Sequence, residues 1–101
     1  MNIYELECAF GRISEEVIEI LVKIQAYVTC MELICKEDDR KSPDFISEMQ
    51  MKQATLVRLI DKVNDIAMRA MTINESSLYF KCETLKSQVR DTMEKVRNLY
   101  M

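Results

Sequence analysis

An apolar side chain occupies every inward position of a seven-residue repeat across the first third of the chain. One set is Ile3, Phe10, Val17, Ile24 and Met31; the other is Leu6, Ile13, Ile20, Tyr27 and Ile34. Spacing that alternates three and four residues puts both sets along one seam of an α-helix, the geometry by which a helix packs lengthwise against partner helices. The repeat specifies a scaffold and names no reaction.

A chain of 101 residues is long enough for one domain with a modest core and too short for two. Apolar residues make up 49% and charged residues 31%, with one glycine and one proline. That balance is typical of long-helix proteins and unlike disordered ones. Antiparallel β architectures need frequent turn residues, and their scarcity sets β folds aside.

Start and stop signals divide the chain into three rods. Asn2, followed three residues later by Glu5, fits an N-terminal capping pair. Gly11, followed by Ser14, Glu15 and Glu16, offers a second candidate start, but the unbroken seam across Gly11 favours one continuous helix. The polar run Glu37-Asp38-Asp39-Arg40-Lys41-Ser42-Pro43 predicts a connection at 38–41, after which Ser42 caps a second helix with Pro43 at its first position and Asp44 in its first turn. The second seam is Phe45, Met49, Lys52, Leu56, Leu59, Val63, Ile66, Ala70 and Ile73, broken only by Lys52, whose aliphatic stem can lie on a core edge. The second connection falls at 72–77, where Asn74 and two serines supply turn chemistry and Thr72 with Glu75 forms another capping pair. Leu78, Cys82, Leu85, Val89, Thr92, Val96 and Leu99 make the third seam, with Met93 filling the space beside Thr92.

The expectation is an all-α, antiparallel three-helix bundle, up-down-up, with coiled-coil-like heptad packing and the capacity to dimerise into a larger bundle. A single domain spans residues 1–101, with helices at about 2–37, 43–72 and 76–99. In outline such a bundle resembles spectrin-like three-helix coiled coils, although the chain has no tryptophan and no family motif.

Charge and cysteine content narrow the functional classes. A formal net charge of −3, from 14 basic and 17 acidic residues, creates no field that draws phosphate, which disfavours nucleic acid as a partner. The opening Met-Asn-Ile-Tyr-Glu-Leu-Glu lacks the features of a secretory signal, and Glu19, Lys23, Gln25 and Glu32 interrupt residues 17–35 as they would a core helix and not a membrane span. A cytoplasmic protein with no membrane partner is expected. Cys8, Cys30, Cys35 and Cys82 sit inside apolar helical patterns and read as free buried thiols; with no CxxC and no histidine, structural zinc is set aside.

Glu15, Glu16 and Glu19, with Asp61 and Asp65, are the carboxylates that could hold a divalent metal from facing helices. Glu16-x-x-Glu19 resembles the magnesium-binding pair of helical nucleotide pyrophosphohydrolases, whose second acidic motif Asp61 and Asp65 do not reproduce in spacing. A solvated acidic face accounts for these residues better. The cysteines have no histidine base, the serines cluster at helix starts, and one glycine cannot build a phosphate loop. No catalytic, cofactor-binding or metal residue is assigned, and no cofactor is expected. On the third helix Lys81, Lys86, Arg90, Lys95 and Arg97 alternate with Glu83, Asp91 and Glu94 as on an exposed, ion-paired face.

Surplus apolar surface carries the functional expectation. Ile18, Leu21, Val22, Val28 and Leu33 widen the first helix's stripe past what one neighbour covers. Either that helix is central in the monomer, or part of its surface meets a partner chain or a second copy. Met51, Met68 and Met71 fall off the second seam, and Tyr79 and Phe80 off the third. The partner-binding set is therefore Ile18, Leu21, Val22, Val28, Met51, Met68, Met71, Tyr79 and Phe80. The function expected is a non-catalytic helical interaction module acting as adaptor, secretion-type chaperone or inhibitor of another protein, with a homodimer as one form. The alternative is a metal-dependent helical hydrolase using carboxylates of the first two helices.

Overall fold

A computed structural model describes residues 2–33 and 43–99. They form three α-helices, α1 (Ile3–Leu33), α2 (Pro43–Thr72) and α3 (Ser76–Leu99), with no strand among the described residues. Ile34, Cys35, the expected end of the first helix near 37, the connection at 38–41 and the Ser42 cap lie outside them.

Asn2 starts α1 as its N-cap. Its Oδ1 accepts the Glu5 backbone N–H at 2.9 Å, and its carbonyl accepts the N–H of Leu6 at 3.1 Å. The helix then runs unbroken through Gly11 and Ser14. Pro43 opens α2, where its missing N–H costs no intrahelical bond, and Asp44 lies in the first turn beside the positive end of the helix dipole.

The α2–α3 connection works differently from the expected Thr72/Glu75 capping pair. Thr72 is the last residue of α2, and its hydroxyl donates back to the Met68 carbonyl at 3.0 Å. Asn74 takes the left-handed conformation, φ 62°, while Glu75 N–H reaches the Ala70 carbonyl at 2.8 Å and Asn74 N–H the Met71 carbonyl at 3.1 Å. Those two bonds form a Schellman motif, with asparagine where glycine is commonest, and they satisfy carbonyls that the helix end leaves open. Glu75 then caps α3 through its backbone, its carbonyl accepting Tyr79 N–H at 3.1 Å. Ile73, expected on the second seam, falls in this turn and is exposed.

Each helix packs against the other two, in a body 50 × 18 × 18 Å. At 1.5 Å per residue α1 and α2 are each about 45 Å long, so both run along the long axis. The core takes Phe45, Met49, Leu56, Leu59, Val63, Ile66, Ala67 and Ala70 from α2, and Leu78, Cys82, Leu85, Val89, Val96 and Leu99 from α3. No charged or polar side chain is buried among the described residues. Thr92, on the third seam, donates its hydroxyl to the Gln88 carbonyl at 3.0 Å, and Met93 packs against the core beside it.

α1 departs from the strict seven-residue register. Its fully buried side chains are Leu6, Val17, Ile24 and Val28, whereas Tyr27 is 38% exposed. In a straight helix of 3.6 residues per turn, positions seven apart lag about 20°, so over three heptads the inward direction drifts toward the next residue. Leu6, Val17, Ile24 and Val28 fall within about 40° of arc at 100° per residue, and the seam has passed from position 27 to position 28. Val28, expected at a partner surface, is a core residue for that reason.

Tyr27, displaced to the edge, closes the side of the α1–α2 interface together with Lys52. Its ring meets Phe45 edge-on at 6.5 Å, and its hydroxyl donates to Glu48 Oε1 at 3.4 Å. The Lys52 amine lies 3.3 Å from Glu48 Oε1 and 5.9 Å from the Tyr27 ring centroid, within range of a cation–π attraction. The one charged residue on the second seam is thus satisfied at the rim of the core.

Candidate partner-binding surface

Of the nine residues expected to bind a partner, three are covered and six are exposed. Val28 is in the core, and Leu21 and Tyr79 are half-buried, packed against it. The six exposed ones are Ile18, Val22, Met51, Met68, Met71 and Phe80.

Ile18 and Val22 form the first group, one turn apart on the outward side of α1, 48% and 63% exposed. Tyr4 at 72% and Leu33 at 78% extend the same face. At 100° per residue these four fall within about 60° of arc, roughly 140° around the helix from the buried stripe. Residues 4 and 18 are two heptads apart, and 22 and 33 are eleven apart, both near-whole numbers of turns. That second periodicity is present in the sequence, hidden by the stronger inward one.

The second group surrounds the α2–α3 turn, where Met71 and Tyr79 line a shallow hollow with Asn74, Glu75 and Ser76. Met68 lies about one turn back along α2 from Met71. Met51 makes the third, bordering a hollow between α1 and α2 with Ile20 and Thr55. Phe80 is isolated on α3; its backbone carbonyl accepts the Thr84 hydroxyl at 3.0 Å and its ring is exposed. Val57, not singled out from the sequence, is also exposed, and with Ile60, Val89 and Met93 it lines a groove of about 260 Å³ between α2 and α3.

Charge separates the helices. α1 carries six glutamates against Arg12 and Lys23; α2 carries Asp44, Glu48, Asp61 and Asp65 against Lys52, Arg58, Lys62 and Arg69. α3 is basic, with three acids against five bases. Pairs along single helices account for part of this charge: exposed Glu19 with Lys23 at 3.4 Å and Asp65 with Arg69 at 3.1 Å, and half-buried Glu83 with Lys86 at 2.9 Å. Exposed pairs of this kind stabilise a helix by a few tenths of a kcal/mol at most, about 0.3–0.5 each.

Among the described residues no group of three or more acidic or cysteine side chains is placed to hold a metal ion. Glu15, Glu16 and Glu19 on α1 and Asp61 and Asp65 on α2 all face solvent. Cys8 and Cys30 are exposed, against the expectation that all four cysteines are buried; Cys82 alone of the described ones is in the core. Burial pushes the Cys82 thiol above its ordinary range, the Glu83 carboxylate adds to that, and the Lys86 ammonium opposes it. No described helix is long and apolar enough to cross a membrane. No protein-family model, no curated protein and no solved structure matches this chain.

Proposed function

We propose that this chain is a non-catalytic interaction module that binds another protein by helix-on-helix contact, as an adaptor, secretion-type chaperone or inhibitor. The observation that carries the reading is the outward face of α1. Tyr4, Ile18, Val22 and Leu33 are solvent-exposed on a helix whose inward face is already packed against α2 and α3. Scattered single apolar residues on a surface need no explanation, but four along one helical line supply the ridge that a partner helix packs against.

The scaffold that holds this ridge is read as an up-down-up bundle with coiled-coil-like seams. Support for the alternation of direction comes from Tyr27, near the C-terminal end of α1, meeting Phe45 and Glu48 near the N-terminal end of α2. Leu6, Ala9 and Ile13, near the start of α1, correspondingly share a hollow with Asp65, Ile66 and Arg69, near the end of α2. A C2 dimer through the α1 ridge is the competing occupant of the same face.

Affinity capture from the native cell, run in parallel with wild type and with an Ile18→Asp/Val22→Asp variant, tests the reading. Both substitutions lie on the exposed face, so circular dichroism and thermal midpoint should match wild type. A protein retained by wild type and lost from the variant is the expected result. Identical captures from both, or none from either, overturn it.

A further inference from the structure

The ridge on α1 is bordered by acids. At 100° per residue Glu7 and Glu32 flank it on one side, and Glu15 lies on its other edge, in line with Leu33, with Glu19 beyond it. Glu19 is paired with Lys23, but no ion pair engages Glu7, Glu15 or Glu32 among the described residues. Between Tyr4 and Leu33, about 44 Å at 1.5 Å per residue, the face presents these apolar side chains, small or neutral Gly11, Gln25 and Thr29 between them, and negative charge unpaired by any described base. Neither α2, with four acids and four bases, nor α3, with an excess of bases, offers this combination.

Resting on the interaction reading above, we propose that this face docks a basic amphipathic α-helix of another protein. Apolar residues of that helix, spaced three and four apart, lie along Tyr4, Ile18, Val22 and Leu33, and flanking lysines or arginines meet Glu7, Glu15 and Glu32. Charge selects this occupant over a second copy. Packing two α1 faces together brings Glu7, Glu15 and Glu32 of one copy against the same three glutamates of the other, a like-charge juxtaposition that opposes association. A strip about 44 Å long and about 10 Å wide falls below the roughly 800 Å² per partner of a stable protein interface, whichever helix lies on it. Contact of that size gains most from electrostatic steering, which a basic partner provides. Anionic lipid is opposed by the same glutamates, since helices that lie on membranes present lysine and arginine.

Calorimetric titration with two designed peptides tests this. Both carry the same leucine ridge at heptad spacing, one flanked by lysine and the other by glutamate. The lysine peptide should bind the full chain, and affinity should fall about tenfold or more with Glu7→Gln/Glu15→Gln/Glu32→Gln and with added salt. Asp91→Asn/Glu94→Gln, which removes exposed acids from α3, should leave affinity unchanged. Ile18→Asp/Val22→Asp adds negative charge: attraction by charge alone would strengthen, whereas docking on the ridge weakens. Ile18→Gln/Val22→Gln gives the same loss without a charge change if the aspartates disturb α1.

Equal binding of both peptides, or undiminished binding by the Ile18 and Val22 variants, overturns the proposal. Sedimentation showing a dimer that those variants dissociate does so too, because a second copy then occupies the face. If native capture depends on Ile18 and Val22 while the lysine peptide fails to bind, the interaction reading stands and only the basic partner is lost.

Discussion

α1 and α2 differ by one residue in length, 31 against 30, yet α2 buries eight side chains and α1 four. α1 has the more apolar sequence and the more regular repeat. The difference lies in how the apolar residues are distributed around the helix. Those buried in α2 fall within about 100° of arc, and four acids, four bases and the exposed Met51, Val57, Met68 and Met71 share the remainder. In α1 apolar residues continue past the inward stripe to Tyr4, Ile18, Val22 and Leu33 on the outward side. Apolar content measures what a helix could bury, and arc width decides how much two neighbours do bury. α2 is the helix with the larger share of the core, and the surplus of α1 faces solvent.

The strongest way to break this contrast is to truncate one residue of each kind. Leu56→Ala removes a side chain 1% exposed in the centre of α2 and should cost about 2–5 kcal/mol in urea unfolding followed by circular dichroism. Ile24→Ala in α1 belongs with it, because Ile24 is fully buried. Val22→Ala, two residues away on α1, should stay within about 0.5 kcal/mol. A cost for Val22→Ala approaching that for Leu56→Ala would mean that the outward face is already covered in the isolated protein, and the contrast would fail.

A smaller effect sharpens how α2 ends. Asn74 holds φ at 62° in the Schellman turn, a conformation that costs a side chain with a Cβ roughly 1–2 kcal/mol and that asparagine tolerates best after glycine. Asn74→Ala should therefore lower stability by about 1 kcal/mol, whereas Asn74→Gly should leave it unchanged or slightly higher. Equal stability for all three would show that the turn does not constrain the registry of α2 against α3.

Much of the architecture is legible in the sequence because burial and periodicity agree in α2 and α3. Phe45, Met49, Leu56, Leu59, Val63, Ile66 and Ala70 line one seam and enter the core, as do Leu78, Cys82, Leu85, Val89, Val96 and Leu99. Ala67 is buried without a signal of its own, since alanine fits either face. α1 is harder to read, because a seven-residue template and a straight helix part company after three heptads. The template puts Tyr27 inside and leaves Val28 outside, and the helix does the reverse. The exposed set is only partly legible for a related reason. Ile18 and Val22 stand out as surplus on a long apolar helix, but Tyr4 joins them only once the outward stripe is traced across two heptads. Leu21 and Tyr79 show the opposite limit: these off-seam apolar residues are half-buried against the core that the three helices build together, and no single-helix pattern contains the neighbours.

Gly11 gives the smallest expected effect, and its sign is opposite. It lies on the outward side of α1, between Tyr4 and Ile18, and a Cβ added there meets nothing within 4 Å. Glycine inside a helix is less favourable than alanine by up to about 1 kcal/mol, because the unfolded chain loses more freedom on ordering it. Gly11→Ala should therefore raise the thermal midpoint by a few degrees, on the order of 4–8 °C per kcal/mol for a chain of this size. α2 offers no matching position: it contains no glycine, and truncating its packed side chains can only subtract. A gain at Gly11 beside a loss at Leu56 would show that the outward side of α1 is limited by its own backbone propensity and not by neighbours. A loss at Gly11 would require something close against that face in solution, and the open ridge from which docking is argued would then be occupied.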